Sequence, residues 1–172
     1  RGAGFSFMMF RAGVGTSSAI VRVNANQEYT LYVGVTDIGP GAKTTMGMIA
    51  AEALDTELSN VEVVWGDTDR CPYSVGESGS RTTIMTGLAV VEAAKELKRQ
   101  IADNGMPSGN DVLIGSATPT PTTDGKTRQC FGAHFVEIEV DTRVGSTKIL
   151  KYTTVHESGR IINPTTARDQ IR

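Results

Sequence analysis

Residues 29–54 read YTLYVGVTDIGPGAKTTMGMIAAEAL, and two periodicities meet inside them. Tyr29, Leu31 and Val33 alternate as a half-buried strand does. Asp37-Ile38-Gly39-Pro40-Gly41 then stops the strand, because Gly and Pro break a ladder and favour a turn. From Ala42 the spacing changes, and Met46, Ile49, Ala50, Ala53 and Leu54 fall on one face of a helix.

The pattern extends in both directions. Residues 3–10 form a short apolar run, residues 18–23 alternate, and Asn24-Ala25-Asn26 supplies turn chemistry. After the first helix, a strand is expected at 61–65, then a long loop over 66–80, of a length usually kept for function. Ile84, Leu88, Val91, Ala94, Leu97 and Ile101 mark a second helix that Asn104-Gly105 ends. Residues 115–126, rich in Thr, Pro, Gly and Ser, read as a loop. Two strands follow at 131–140 and 147–156, and Asn163-Pro164 opens a last helix with Asn as cap. The expected class is α+β, a mixed or antiparallel sheet packed with two main helices. Residues 1–172 form one domain or two lobes, 1–105 and 106–172.

Composition narrows the function. Of 172 residues, 39% are hydrophobic and 21% charged, an ordinary globular balance. The net charge of -2 gives no basic field for nucleic acid. No apolar run approaches the roughly 20 residues of a membrane helix. The start at Arg1, without Met or signal sequence, reads as the middle of a longer polypeptide. Cys71 and Cys130 lack metal-ligand spacing and suit a reducing compartment, so the expected location is cytoplasmic.

Three loop-to-helix junctions share one chemistry: Gly39-Pro40-Gly41, the stretch from Gly76 to Thr83, and the stretch from Ser158 to Thr166. A helix start has unpaired N–H groups and partial positive charge, which attract phosphate. Arg81 adds a planar donor fork. Capping alone explains any single junction. Together the three point to a large anionic ligand held by backbone. Other candidates are weaker. His134 reads as a packed strand histidine and Trp65 as core, while Asp67-Thr68-Asp69 reads as an Asx-type turn. Nothing places a nucleophile beside His156 for a catalytic triad. No catalytic residue and no metal ligand is assigned.

The residues also resemble a known family. Gly34-Val35-Thr36-Asp37-Ile38-Gly39-Pro40-Gly41, then Gly79-Ser80-Arg81-Thr82-Thr83, then Glu137-Ile138-Glu139-Val140-Asp141, and finally Gly159-Arg160-Ile161-Ile162-Asn163-Pro164 and Gln170 occur in the order seen in the molybdenum hydroxylases. These are enzymes of the xanthine dehydrogenase and aldehyde oxidase type, and the likeness spans nearly the whole chain. It implies a molybdopterin-binding portion of the large subunit. Such enzymes hydroxylate an aldehyde or N-heterocycle with water-derived oxygen. The cofactor is molybdopterin with molybdenum, in bacteria often as a cytosine dinucleotide. The resemblance assigns Gly39 and Gly41 to a turn touching the pterin, Ser80, Arg81, Thr82 and Thr83 to a phosphate-contacting segment, and Gln170 to a position near the cofactor. The implied partners are the remainder of the molybdenum subunit with iron–sulfur and flavin domains or subunits. The chain alone is expected to be inactive.

Three departures stand out. Pro40 replaces the glutamine usual between the glycines, removing a side-chain amide and a backbone N–H. The family's general-base glutamate lies in a segment this chain does not contain, and no motif makes Glu77 that base. Two cysteines also cannot supply the four ligands of an iron–sulfur cluster.

Overall fold

The computed structural model describes residues 1–120 and 128–171. Seven strands and three helices follow in order: β1 (Gly2–Arg11), β2 (Ala19–Asn24), β3 (Tyr29–Val33), α1 (Ala42–Leu54), β4 (Val61–Trp65), α2 (Thr82–Asn104), β5 (Val112–Ala117), β6 (Gln129–Asp141), β7 (Ser146–Glu157) and α3 (Pro164–Asp169). The α+β expectation holds, with both main helices where periodicity places them.

Two compact units exist. One contains α1, α2, α3 and a four-stranded sheet in the order β4-β3-β2-β5. β2 pairs antiparallel with β3 and β5, whereas β3 and β4 run parallel. Parallel neighbours need a crossover, and α1 supplies it. The core lies here: Val21, Val23, Leu31 and Val33 of the sheet, Met46 and Ala50 of α1, and Val90, Ala94 and Leu97 of α2 are fully buried. The second unit is a three-stranded antiparallel sheet, β1-β6-β7, with Phe5 opposite Phe135 and His134 opposite Thr154.

The structure departs from the sequence reading in three places. Residues 115–117, expected in a loop, belong to β5 beside β2, while residues 121–126 of that loop lie outside the described residues. Gly115 is there because α2 lies on it: a Cβ would stand 2.3 Å from the carbonyl oxygen of Ala93. β5 pairing also means that residue 105 does not divide the units, and β1 pairs with β6 far downstream. Trp65 is not core. It is 37% exposed, with the Lys43 ammonium 5.9 Å from its ring centroid.

Candidate functional site

β3 and β4 are parallel neighbours, so their carboxyl ends lie side by side. The segments leaving them run into α1 and α2, which brings both helix starts to the same end of the sheet. Ligands of parallel sheets commonly bind at this end.

The 66–80 loop is fixed over that end by close packing. A Cβ on Gly34 would stand 2.3 Å from the Pro72 carbonyl oxygen, and one on Gly15 would stand 2.4 Å from a Val75 methyl. Tyr73 accepts the N–H of Ser18 at 2.8 Å. Within the loop, the Asp69 N–H donates to the Asp67 carboxylate at 3.0 Å, the Asx-type turn expected there. Glu77 accepts the Thr36 N–H at 3.0 Å and also the Thr36 hydroxyl. Glycine at 15 and 34 is therefore a requirement of close approach.

The three junctions differ in what remains available to a ligand. At α1, the Asp37 carboxylate accepts N–H groups of Gly39 at 3.1 Å, Gly41 at 3.0 Å and Lys43 at 3.3 Å. Partial desolvation pushes the Asp37 carboxyl up, but the backbone N–H groups of Gly39, Gly41, Lys43 and Ala42 together hold it below the usual carboxylate value. That helix start already has its anion. At α3, the Asn163 side chain accepts from Thr165 and Thr166. This is the cap that the sequence anticipates.

α2 is different. Its cap residue, Arg81, makes no side-chain capping bond, and no acidic residue lies in the first turn. The first intrahelical bond runs from the Met85 N–H to the Arg81 carbonyl. The N–H groups ahead of it point out of a helix 23 residues long. Ser80 precedes it with φ 54°, a left-handed conformation that a non-glycine residue adopts at a cost of about 1–3 kcal/mol and that clusters at ligand clamps. Ser80, Thr82 and Thr83, all hydroxyl-bearing, occupy the positions at this helix start.

Arg81 itself points elsewhere. Its guanidinium donates to carbonyl oxygens of Val75 at 2.7 Å, Gly76 at 3.2 Å and Val14 at 3.3 Å. The expectation of a fork aimed at phosphate is revised: the fork fastens the loop to residues 13–15, where the Gly13 N–H also meets the Gly79 carbonyl at 2.6 Å. The sequence contains no signal for this, because its acceptors are backbone.

Gly41, with φ 80°, lies against α3, and a Cβ there would stand 2.7 Å from the Thr166 methyl. Gly39 has φ 115° and open space where a side chain would be, so its backbone is accessible. Arg81, Gly76, Glu77, Thr36, Asp37, Gly41 and Thr166 thus form a continuous series of neighbours linking the three junctions. Gln170 ends α3 one turn beyond Thr166, exposed, and its side chain makes no hydrogen bond among the described residues. What fits an anionic phosphorylated ligand is the donor set at the start of α2, whereas the Gly39 N–H is already donated to Asp37. Sequence reasoning missed Thr36, Asp37 and Glu77 as the residues that fix this arrangement.

Comparison with known proteins gives the family. The model for the molybdopterin cofactor-binding domain matches residues 1–108 and 114–172. The gamma subunit of the 6-hydroxypseudooxynicotine dehydrogenase complex of Paenarthrobacter nicotinovorans is 29% identical over 99% of this chain and 26% of its own length. The aldehyde oxidoreductase molybdenum-binding subunit PaoC of Escherichia coli is also 29% identical, over 90% of this chain and 25% of its own. The aldehyde oxidoreductase structure from Desulfovibrio desulfuricans superposes with a TM-score of 0.82 at 25% identity, covering 99% of this chain and 21% of that one. The CO dehydrogenase structure from Oligotropha carboxidovorans shares the fold, with a TM-score of 0.88 at 21% identity over 99% of this chain and 27% of that one. The chain spans about a quarter of the length of the curated relatives it matches. Residues 1–172 belong to the molybdopterin cofactor-binding domain family of the molybdenum hydroxylases.

Proposed function

We propose that this chain holds the phosphate end of a molybdenum-bearing molybdopterin at the start of α2, as one part of a molybdenum hydroxylase subunit. The observation that carries the reading is the contrast among helix starts: α1 and α3 are capped by Asp37 and Asn163, while α2 lacks a side-chain cap and presents its amides beside Ser80, Thr82 and Thr83. The amides and hydroxyls bind phosphate oxygens and orient the cofactor. Gly39 lets backbone approach the pterin, Gly41 keeps that turn seated against Thr166 of α3, and Gln170 lies on the α3 side of the same edge. Arg81 acts by holding the loop that positions Ser80.

The cofactor supplies the redox chemistry when bound, and the protein contributes binding and orientation. The reaction class that suits this family is hydroxylation of an aldehyde or N-heterocycle by water-derived oxygen. A cytosine dinucleotide form, iron–sulfur and flavin partners elsewhere in the complex, and a cytoplasmic location complete the reading. Among the described residues no helix is long and apolar enough to cross a membrane. A chain spanning a quarter of its relatives is proposed to be inactive alone.

The decisive variant is Thr83→Asp in the complete enzyme. A carboxylate in the first turn of α2 favours the helix by about 0.3–1 kcal/mol, yet repels a phosphate at the same place. The expected result is an unchanged or raised melting temperature with molybdenum content at least tenfold lower. Full molybdenum occupancy in that variant would overturn the assignment.

A further inference from the structure

The buried apolar core runs from Ala19 to Leu97, entirely within the helix-bearing unit. The other unit contains β1, β6 and β7, with no helix among the described residues. A sheet of three strands needs an apolar layer against one face to persist. Cross-strand register puts Phe5, Phe7, Met9, Phe131, Phe135 and Val155 on one face. Phe5 stacks on Phe135 at 6.2 Å between centroids and meets Phe7 edge-on at 5.6 Å. Phe5 is 69%, Phe7 73% and Met9 62% exposed. The opposite face carries Met8, Phe10, Val136 and Ile138 together with Ser6, His134, Tyr152, Thr154 and His156, with His134 Nδ1 2.7 Å from the Tyr152 hydroxyl. His134, Thr154 and His156 are partly buried. The face with Phe5, Phe7 and Met9 is the more exposed of the two although it carries a continuous patch of large apolar side chains.

We infer that this apolar face is an internal interface, covered by a segment of the same molybdenum subunit lying outside residues 1–172 and presenting apolar side chains. Three observations select that occupant. Six large apolar groups, bordered by Glu137, Lys151 and Glu157, match the composition of permanent rather than transient interfaces. Among the described residues none of the unit's hydrophobic side chains is fully buried, so the folded sheet needs a cover. The relatives that match this chain along nearly all its length carry about three times as much polypeptide again, so a tethered cover is at hand at high effective concentration. The inference rests on the reading of this chain as one part of a larger subunit.

The test uses the complete enzyme with a photo-reactive benzoylphenylalanine in place of Phe7 in one variant and Phe135 in another. A third variant carries it in place of Val144, an exposed residue of the β6–β7 turn, as a control. Irradiation followed by peptide mass spectrometry should give adducts from positions 7 and 135 to peptides of the same subunit outside residues 1–172, at least tenfold above those from position 144. Adducts only to a second copy or to another subunit, or none above the control, would overturn it. Molybdenum content of the same samples reads the cofactor proposal separately. Normal content without adducts sinks only the interface, and adducts without molybdenum sink only the cofactor assignment.

Discussion

Glu77 holds Thr36 through both of that residue's donors, backbone N–H and hydroxyl. Forty-one positions apart, the two join the long loop ahead of α2 to the end of β3. Hydrogen bonds to a charged acceptor contribute about 1.5–3 kcal/mol when shielded, and less at a half-exposed site. A double-mutant cycle of Glu77→Ala with Thr36→Val should give a coupling of about 1 kcal/mol by denaturant titration. Additive single effects would show that the loop is held by packing alone.

Asp37 should make stability depend on acid. Its carboxyl is held below its ordinary value in the fold, so its contribution is complete above the unfolded carboxylate range near pH 4 and lost as pH falls through the lower folded value. Asp37→Asn should cost about 1 kcal/mol at pH 7, as loss of a cap does. It should also flatten the decline in melting temperature below about pH 4 relative to the parent. A parallel decline in both proteins would remove Asp37 from the α1 cap.

Arg81→Ala should destabilise the chain even with no cofactor present, by about 1–2 kcal/mol, because three carbonyl contacts disappear. Arg81→Lys should recover only part, since a single ammonium cannot span carbonyls of Val75, Gly76 and Val14. An unchanged cofactor-free melting temperature in Arg81→Ala would return the guanidinium to a phosphate role.

Gly115→Ala should be among the most damaging single-methyl changes in the protein. The added Cβ would stand 2.3 Å from the Ala93 carbonyl and 2.6 Å from the Leu97 nitrogen, both rigid backbone of α2. Overpacking of this kind costs about 1–3 kcal/mol or more. Gly145→Ala, in the β6–β7 turn with nothing nearby but φ 72°, tests glycine strain alone and should cost about 1 kcal/mol. Similar losses in the two variants would mean that α2 is not seated on β5.

Much of this was legible in the sequence. The period change at Ala42 and the apolar spacing from Ile84 to Ile101 placed both helices, because amphipathic faces repeat locally. The cap at Asn163 was equally plain. Three kinds of fact were not legible. Gly115 reads as a loop residue because its reason is a helix some twenty positions away. Trp65 reads as core because hydropathy does not reveal that a strand end is wet. Arg81 reads as a phosphate ligand because a guanidinium suits carbonyls and phosphates alike, and only the folded loop decides between them. At the candidate site the sequence treats three helix starts as equivalent, whereas the Asp37 carboxylate already caps one of them.

The pairing of β1 with β6 has a consequence for biosynthesis. During translation, Phe5 waits for roughly 130 further residues before its neighbour Phe135 exists, several seconds at ribosomal speed. Throughout that interval a greasy ribbon protrudes from the nascent chain while the intervening unit can already collapse around its own interior. Within residues 1–172, β1 is thus the stretch whose shielding depends on chain made much later, whereas the helix-bearing unit buries its own core.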